Sequence, residues 1–229
     1  MARALDEEEV LAQKRDAAVR AVDLVRPGMV VGLGSGSTAH LALEEIARRL
    51  AEGSLRELVG VPTSVATAEL ARARGVPLAD LDERPVLDLT IDGADEVGPA
   101  GQLVKGGGGA LVREKIVAAA SRRLVIAVDE GKRVDRLGRR HPLPVAVTPF
   151  GWSTHLDAVR ALGGDPVLRR DAAGRPYATD EGLYILDCRF PDGIAEPAAV
   201  ERTLKARPGV VDTGLFLGFA PEVIVGRGR

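Results

Sequence analysis

Three carboxylates crowd the seven residues of "TIDGADE", which overlap the end of the apolar run "VLDLTI". Asp92, Asp95 and Glu96 could act on a substrate, bind a hard cation, or only form a turn, because Asp and Gly are standard turn residues. The stretch lacks the spaced oxygen ligands and the closing Glu of a calcium loop, which weakens the cation interpretation. Turn formation and substrate binding both stay open from this stretch alone.

A first glycine stretch, "GLGSGST", runs from Gly32 to Thr38 between a predicted strand and a predicted helix. Free backbone N–H groups and the helix dipole make such a junction an anion site, and glycines let the backbone approach a phosphate closely. The hydroxyls of Ser35, Ser37 and Thr38 could add donors. A dinucleotide fingerprint fits poorly, because its third glycine would fall on Ser37 and no acidic residue closes the next strand, "LVGV". A purely structural turn remains the alternative.

A second glycine stretch, "KGGGGALVREK", places four consecutive glycines before a predicted helix. Ordering glycine costs more backbone entropy than ordering any other residue, so four in a row indicate close approach of the backbone to a ligand. If the helix begins near Ala110, the side chain of Glu114 tilts back toward the glycines. Lys105 and Glu114 could then flank one small substrate. The alternative for Glu114 is a surface residue that interacts favourably with the helix dipole.

Lysine is rare in this chain, which strongly prefers Arg. Lys105 and Lys132 both adjoin glycines in predicted strand-end loops, where a compact charge or a titratable amine is not replaceable by Arg. A Schiff-base lysine is possible, although nearby carboxylates favour the protonated amine. The lysines stand at positions 14, 105, 115, 132 and 205.

Histidine and cysteine give little support for metal or nucleophile chemistry. His40, His141 and His155 show no paired ligand spacing. The single cysteine, Cys188, lies in the strand-like run "LYILDCRF", where a small packed side chain is the usual role. We therefore predict no metal site.

The first half of the chain alternates strand and helix patterns, which predicts an α/β fold with a Rossmann-like parallel sheet covered on both faces. In such sheets ligands bind at the carboxyl ends of the strands, where all three stretches fall. The predicted elements are a helix over Glu7 to Val25, a strand in "MVVGLG", a helix from about Ser37, a strand in "ELVGVPTS", a helix in "VATAELARAR", a strand in "VLDLTI", a helix in "ALVREKIVAAA" and a strand in "RLVIAVDE".

From about Gly138 the pattern changes, beginning with the proline-rich "RRHPLPVAVTPFG". A smaller α+β domain is predicted here, and the tail runs "GVVDTGLF" and "EVIVGRG" are expected to return to the main sheet as C-terminal strands. The predicted domains are 1–137 plus 207–229 for the α/β domain and 138–206 for the inserted one. The smaller domain should contain a helix near Trp152 to Leu162, antiparallel strands around a turn at Asp171 to Arg175, and a helix over Pro197 to Lys205.

The composition is that of an ordinary globular protein of 229 residues, with 45% hydrophobic residues. The 31 basic and 33 acidic residues give a net charge of −2, which provides no long-range field to attract nucleic acid or an anionic membrane. We expect small molecules or other subunits as partners. The acidic start "MARALDEEEV" and the lack of an 18-residue apolar run favour a cytoplasmic protein.

Taken together, "GLGSGSTA", "DGADE" and "KGGGGALVREK", in this order and at these separations, closely resemble the A-type ribose-5-phosphate isomerase family. "VIAVDEGK" and "GVVDTGLF" extend the resemblance over nearly the whole chain. It implies a metal-independent aldose–ketose isomerase without a cofactor, which interconverts ribose 5-phosphate and ribulose 5-phosphate in the pentose phosphate pathway and forms homodimers or homotetramers.

The resemblance also implies residue roles. Glu114 would be the catalytic base, Asp92 and Lys105 would assist ring opening, and Lys132 would bind the substrate near its phosphate. Ser35 stands where the family often has Thr, which keeps the hydroxyl, while Glu96 receives no role. The implied substrate-binding residues are Ser35, Gly36, Ser37, Thr38, Asp92, Gly93, Ala94, Asp95, Lys105, Gly106, Gly107, Gly108 and Lys132.

Two other function classes remain open. A sugar-phosphate sensor would keep the binding residues without chemistry, but such domains usually accompany a DNA-binding helix-turn-helix, for which the chain has no spare segment. A transferase resembling CoA-transferases could use Glu114 as a covalent nucleophile on the same sheet architecture.

Overall fold

The computed structural model describes residues 6–228, so the first five residues of "MARALDEEEV" and the last residue lie outside the description. Short 3-10 turns cover Glu130–Lys132 and Trp152–His155. The α-helices of the described chain are α1 (Glu7–Val22), α2 (Ser37–Ala51), α3 (Val65–Ala73), α4 (Leu111–Ala119), α5 (Leu156–Ala161) and α6 (Pro197–Lys205). Its strands are β1 (Val30–Leu33), β2 (Val59–Pro62), β3 (Leu89–Asp92), β4 (Glu96–Val97), β5 (Leu103–Val104), β6 (Leu124–Val128), β7 (Leu143–Val147), β8 (Asp165–Leu168), β9 (Tyr184–Arg189), β10 (Val210–Thr213), β11 (Leu215–Phe216) and β12 (Glu222–Val225).

The chain divides into two compact units. Unit 1 contains the described residues up to Ala94, Arg113–Lys132, and the described residues from Phe219 onward; unit 2 contains Asp95–Val112 and Arg133–Gly218. Unit 2 therefore takes in 95–112, 133–137 and 207–218 in addition to the segment 138–206. The predicted domains, 1–137 plus 207–229 and 138–206, stay a prediction.

Unit 1 is built on a five-stranded sheet in the order β12-β6-β3-β1-β2, in which every pair is parallel. The predicted parallel sheet is confirmed. Strands β3 and β6 are buried along their whole length, as expected of strands that are covered on both faces. Helices α1 and α2 pack together, and their apolar faces join the sheet in one core that includes Ala17, Val22, Leu43, Ile46 and Ile91.

The register of this sheet brings three strand ends to one edge. Leu33 pairs with Ile91, and Asp92 pairs with Ile126, so β1, β3 and β6 finish side by side. The loops that follow them carry the first glycine stretch, the acidic stretch and Lys132. Parallel topology thus collects segments that are far apart in the sequence.

Unit 2 contains an antiparallel four-stranded sheet in the order β10-β7-β9-β8 and a three-stranded sheet in the order β11-β5-β4. Strand β7 lies inside the sheet, although its segment was predicted only as a proline-rich stretch. Proline lacks the N–H donor that a ladder needs and is typical of edge strands, so Pro144 hid this strand. Burial of all five residues of "LPVAV" explains why the segment is a strand nonetheless.

The C-terminal tail separates into strands of different sheets. Strand β12 pairs with β6 in the parallel sheet, as expected. The expectation for "GVVDTGLF" was wrong, because β10 pairs with β7 and β11 pairs with β5, both in unit 2. Within residues 6–228, no helix combines the length and the apolar character needed to cross a membrane.

Candidate active site

The predicted site residues belong to both units. Unit 1 holds Ser35, Gly36, Ser37, Thr38, Asp92, Gly93, Ala94, Glu114 and Lys132. Unit 2 holds Asp95, Lys105, Gly106, Gly107 and Gly108.

Asp92 is joined directly to the first glycine loop of unit 1. It is the last residue of β3 and is only 1% exposed. Its Oδ1 accepts hydrogen bonds from the backbone N–H of Gly93 at 2.7 Å and of Ser35 at 3.2 Å. A side chain at Gly34 would overlap the carboxyl group of Asp92, so glycine is required at that position. The acidic stretch and the glycine loop therefore form one local structure.

A set of hydroxyl groups holds the glycine loop from the other side. The Oγ of Ser35 lies 2.8 Å from Thr63 Oγ1 and donates to Ser64 Oγ at 2.8 Å. Thr67 Oγ1 donates to the carbonyl of Gly34 at 3.1 Å. These three partners belong to the β2–α3 turn and the first turn of α3, and all three are buried. The hydroxyl of Ser35 thus faces other protein hydroxyls in the interior of unit 1.

The loop ends at the N-terminus of α2, where Gly36 adopts a φ of +97° that favours glycine. Gly36 and Ser37 are exposed, whereas Thr38 is buried. A helix N-terminus preceded by glycine is suited to an anion such as a phosphate, because its first N–H groups have no partner within the helix.

Lys14 adds a cation to this end of unit 1. Its Nζ donates to Ser37 Oγ at 3.1 Å, and both residues line a cleft of about 330 Å³ between α1 and α2. Lys14 was not among the predicted site residues. The only available signal was the rarity of lysine, because the contact joins residues 23 positions apart.

Glu114 lies in the first turn of α4, as predicted. Its side chain is buried, with 5% of its surface exposed, so the alternative of a surface residue is wrong. Lys132 ends the 3-10 turn that follows β6 and is half-buried. It follows β6, the strand whose Ile126 pairs with Asp92 at the end of β3.

In unit 2, Asp95 is joined to the second glycine loop. The N–H of Gly107 donates to Asp95 Oδ2 at 2.7 Å. A Cβ at Gly107 would lie 2.7 Å from Asp95 Oδ1, and Gly106 has a φ of +100°. Both glycines are therefore needed for the backbone to reach this carboxylate.

Lys105 begins the same loop and is 3% exposed. Its backbone N–H donates to the carbonyl of Gly214 at 2.9 Å. Its Nζ lies 5.6 Å from the centroid of the Phe216 ring, a distance at which an ammonium group is attracted to the ring face. Residues of the C-terminal tail thus hold the lysine.

Comparison with known proteins decides the family. The family model described as Ribose 5-phosphate isomerase A (phosphoriboisomerase A) matches residues 59–229. Ribose-5-phosphate isomerase A of Roseiflexus castenholzii is 53% identical over 212 residues, which cover 93% of this chain and 90% of that protein.

The chain belongs to the ribose-5-phosphate isomerase A family.

Solved structures of isomerases from this family share the fold. The chain is similar to D-ribose-5-phosphate isomerase in complex with phospho-erythronic acid, with a TM-score of 0.92, 36% identity, and coverage of 97% of this chain and 96% of that one. It is also similar to ribose 5-phosphate isomerase A from Methanocaldococcus jannaschii, with a TM-score of 0.87, 36% identity and 97% coverage of both chains. The resemblance drawn from the three motifs is confirmed.

Membership of the isomerase family leaves Glu96 to be explained. Glu96 begins β4 in unit 2 and is fully buried. Its carboxylate accepts three backbone hydrogen bonds, from Gly138 at 2.5 Å, Arg140 at 2.6 Å and His141 at 2.8 Å. The third acid of "DGADE" therefore anchors the segment before β7.

The cysteine and a buried histidine of this isomerase have structural roles. Cys188 is buried in the core of unit 2, and burial raises the pKa of its thiol, so it is a packed side chain as predicted. His155 is buried, and its Nδ1 accepts from Arg207 Nε at 3.3 Å. Among residues 6–228, no cluster of three or more His, Cys, Asp or Glu side chains could hold a metal ion.

Proposed function

We propose that this chain interconverts D-ribose 5-phosphate and D-ribulose 5-phosphate through an enediolate, with Glu114 as the base and without a cofactor. Family membership supports the reaction. The single structural observation that carries the assignment of the base is the burial of the Glu114 carboxylate in the first turn of α4, directly after the four glycines.

The reaction moves a carbonyl group from C1 to C2 of the open-chain sugar. A base removes the proton from C2 and returns it to C1, and one carboxylate can serve both carbons. A buried base is shielded from water, which protects the enediolate and strengthens its electrostatic interactions. Glu114 meets these requirements, because it is the one carboxylate of α4 and it is buried.

We assign the sugar hydroxyls to Asp92 and Asp95 and the ring-opening step to Asp92 and Lys105. Backbone N–H groups already fix both carboxylates, from Ser35 and Gly93 in unit 1 and from Gly107 in unit 2. Fixed carboxylates accept hydrogen bonds from hydroxyl groups without reorganisation, which is the advantage of a preorganised site. Lys105 supplies a positive charge for the oxygen that becomes negative in the enediolate.

We assign the phosphate to the N-terminus of α2 and to lysines. Gly36, Ser37 and Thr38 offer backbone N–H groups and hydroxyls, and Lys14 and Lys132 offer charge. A phosphate monoester carries nearly two negative charges, which such a combination binds well. The complex of a similar isomerase with phospho-erythronic acid supports a phosphorylated ligand of this class.

The proposal extends to assembly and location, for which we expect a homodimer or homotetramer in the cytoplasm. Light scattering on the purified protein measures the assembly, and cell fractionation measures the location. A monomer at micromolar concentration would contradict the first expectation.

The direct test incubates metal-stripped protein with ribose 5-phosphate and follows ketose formation. Glu114→Gln is expected to lower kcat about 100- to 10,000-fold with a small change in KM, because the amide cannot accept the proton. Glu69→Gln, which changes an exposed carboxylate on α3 of the same unit, is the matched control and should keep normal turnover.

Each outcome distinguishes a function class. No ketose from the wild-type protein would overturn the isomerase proposal, and tight binding of ribose 5-phosphate without turnover would favour the sensor. Near-normal turnover of Glu114→Gln would remove Glu114 from the mechanism. A requirement for added metal would contradict the metal-free reaction.

A further inference from the structure

The four-glycine loop of unit 2 has no side chains of its own to fix its conformation. Glycine has the largest backbone freedom of any residue, so an ordered loop of this kind needs partners from elsewhere. Within the loop, Gly109 N donates to the carbonyl of Gly106 at 2.9 Å. The carbonyls of Gly106, Gly107 and Gly108 accept hydrogen bonds from side chains outside the loop.

Arg169 supplies two of these hydrogen bonds. It directly follows β8, and its Nη1 donates to the carbonyl oxygens of Gly106 and Gly107, each at 3.1 Å. The residue is more than 60 positions away from the loop in the sequence. A guanidinium group suits this role, because its rigid fork can donate to two carbonyls at once.

The same guanidinium group also forms an ion pair with Asp187 on β9. Nε donates to Asp187 Oδ2 at 2.8 Å and Nη2 donates to Oδ1 at 2.6 Å, which is a bidentate pair. The side chains are 15% and 25% exposed, so the pair is shielded from solvent and its geometry is fixed.

Tyr177 completes the support of the loop. The guanidinium carbon of Arg169 lies 5.7 Å from the centroid of the Tyr177 ring, and the ring hydroxyl donates to the carbonyl of Gly108 at 3.4 Å. Tyr177 also packs against the apolar cluster that contains Leu111, the first residue of α4. A Cβ at Gly109 would overlap the ring hydroxyl, so the absence of a side chain there is what admits Tyr177.

We propose that Arg169, fixed by Asp187 and Tyr177, is a positioning residue that holds the glycine loop and thereby sets the place of Lys105 for the reaction. Arg169 is not itself a ligand of the substrate phosphate. Four of the five guanidinium N–H groups already bind protein oxygens, and Asp187 neutralises the charge. This inference rests on the proposed function, because it assumes that Lys105 acts on the substrate.

The test compares Arg169→Ala, Arg169→Lys and Tyr177→Phe with the wild-type protein. Loss of the guanidinium group should let the glycine loop move and shift Lys105. A misplacement of about 1 Å can lower a rate about 100-fold. We expect Arg169→Ala to lower kcat about 10- to 100-fold, with a smaller change in KM because the proposed phosphate ligands belong to unit 1. Arg169→Lys should recover only part of the loss, since an ammonium group cannot form the bidentate pair and reach both carbonyls.

Arg170→Ala is the matched control. Arg170 is the adjacent residue and is exposed, and its side chain donates to the carbonyl of Gly174 in the neighbouring turn. It should keep normal kcat and KM. All assays use a temperature at which circular dichroism shows each variant to be folded.

Hydrogen exchange of the peptide covering 105–111 gives a readout that does not depend on activity. The amides of Gly107 and Gly109 should exchange faster in Arg169→Ala than in the wild-type protein, while the peptides of the parallel sheet should not change. If Arg169→Ala does not fold, Tyr177→Phe and Arg169→Lys carry the same measurements.

Unchanged exchange of the loop together with unchanged kcat in these variants would overturn the inference. A wild-type protein without isomerase activity would overturn the proposed function instead, and exchange would still show whether Arg169 holds the loop. Faster exchange of the loop with unchanged kcat in an active enzyme would also overturn the inference about Arg169, because the position of the loop would then not affect the rate.

Discussion

The three carboxylates of "DGADE" meet three different environments, and the environment of each decides what it can do. Asp92 accepts N–H groups of the first glycine loop, and Asp95 accepts an N–H group of the second. Glu96 accepts three backbone N–H groups and has no exposed surface. Two of the acids therefore adjoin segments with proposed binding roles, while the third stabilises the fold.

Glu96→Gln is expected to lower stability without loss of turnover. The amide replaces one acceptor oxygen by a donor, which then faces a backbone N–H group and leaves it unsatisfied in the interior. Such a loss costs about 1 to 3 kcal/mol of unfolding free energy. Urea unfolding measures the stability, and kcat per folded enzyme measures the activity.

Two variants control this prediction. Glu196→Gln changes an exposed acid of unit 2 and should alter stability little. Glu114→Gln should show the reverse pattern, with lost turnover and retained stability. A Glu96→Gln protein as stable as the wild type would mean that its three hydrogen bonds contribute nothing.

The first glycine loop depends on the turn before α3. Thr67 Oγ1 donates to Gly34 O at 3.1 Å and accepts from Ser64 Oγ at 2.9 Å, and Thr67 is fully buried. Ser64 also caps α3, because its Oγ accepts from Thr67 N at 3.0 Å. One hydroxyl network thus starts a helix and fixes the loop to which we assign the phosphate.

Thr67→Val is expected to weaken phosphate binding more than it slows the chemical step. Valine keeps the shape but removes the hydrogen bonds from Thr67 Oγ1 to Gly34 O and from Ser64 Oγ to Thr67 Oγ1, which loosens the loop. A loss of about 1.4 kcal/mol of binding corresponds to a tenfold rise in KM and in the inhibition constant of inorganic phosphate. Thr67→Ser retains the hydroxyl and should behave as the wild type. A tenfold fall in kcat with unchanged phosphate inhibition would contradict this role.

The elements also show what local sequence can predict. Helix α6 begins and ends as predicted, because Pro197 stands in its first turn and the apolar positions follow one face. Strand β7 was missed because Pro144 carries a loop signal that burial overrides. Arg169 and Lys14 were missed as partners because no local pattern marks a hydrogen bond to a distant residue. Motif composition predicted the glycine loops, whereas the groups that hold them depend on tertiary contacts.

The chain crosses from one unit to the other at positions that are close in sequence to the residues with proposed roles. The boundaries between the units fall between Ala94 and Asp95, between Val112 and Arg113, and just after Lys132. The fourth boundary lies just before Phe219. Each unit has its own apolar core, so the stability of one can be changed by substitutions that leave the other core intact.

The stability of unit 2 should fall as the pH is lowered from 7.5 to 5.5, because of His155. Burial lowers the pKa of His155, and the nearby positive charge of Arg207 lowers it further. The unfolded chain, with an ordinary histidine pKa of about 6.5, then binds a proton that the folded protein does not, so stability is present above that value and is lost below it. One such proton contributes at most about 1.4 kcal/mol per pH unit.

His155→Gln is expected to reduce this dependence, so that its unfolding free energy changes less between pH 7.5 and 5.5 than that of the wild type. The single tryptophan, Trp152, lies in the same 3-10 turn as His155 and reports the unfolding of unit 2 by its fluorescence in urea. Ser153→Ala, which changes an exposed and non-titrating residue of the same 3-10 turn, is the control and should keep the wild-type change in unfolding free energy between pH 7.5 and 5.5. If the unfolding free energies of His155→Gln and the wild-type protein change equally between pH 7.5 and 5.5, another group causes the loss of stability.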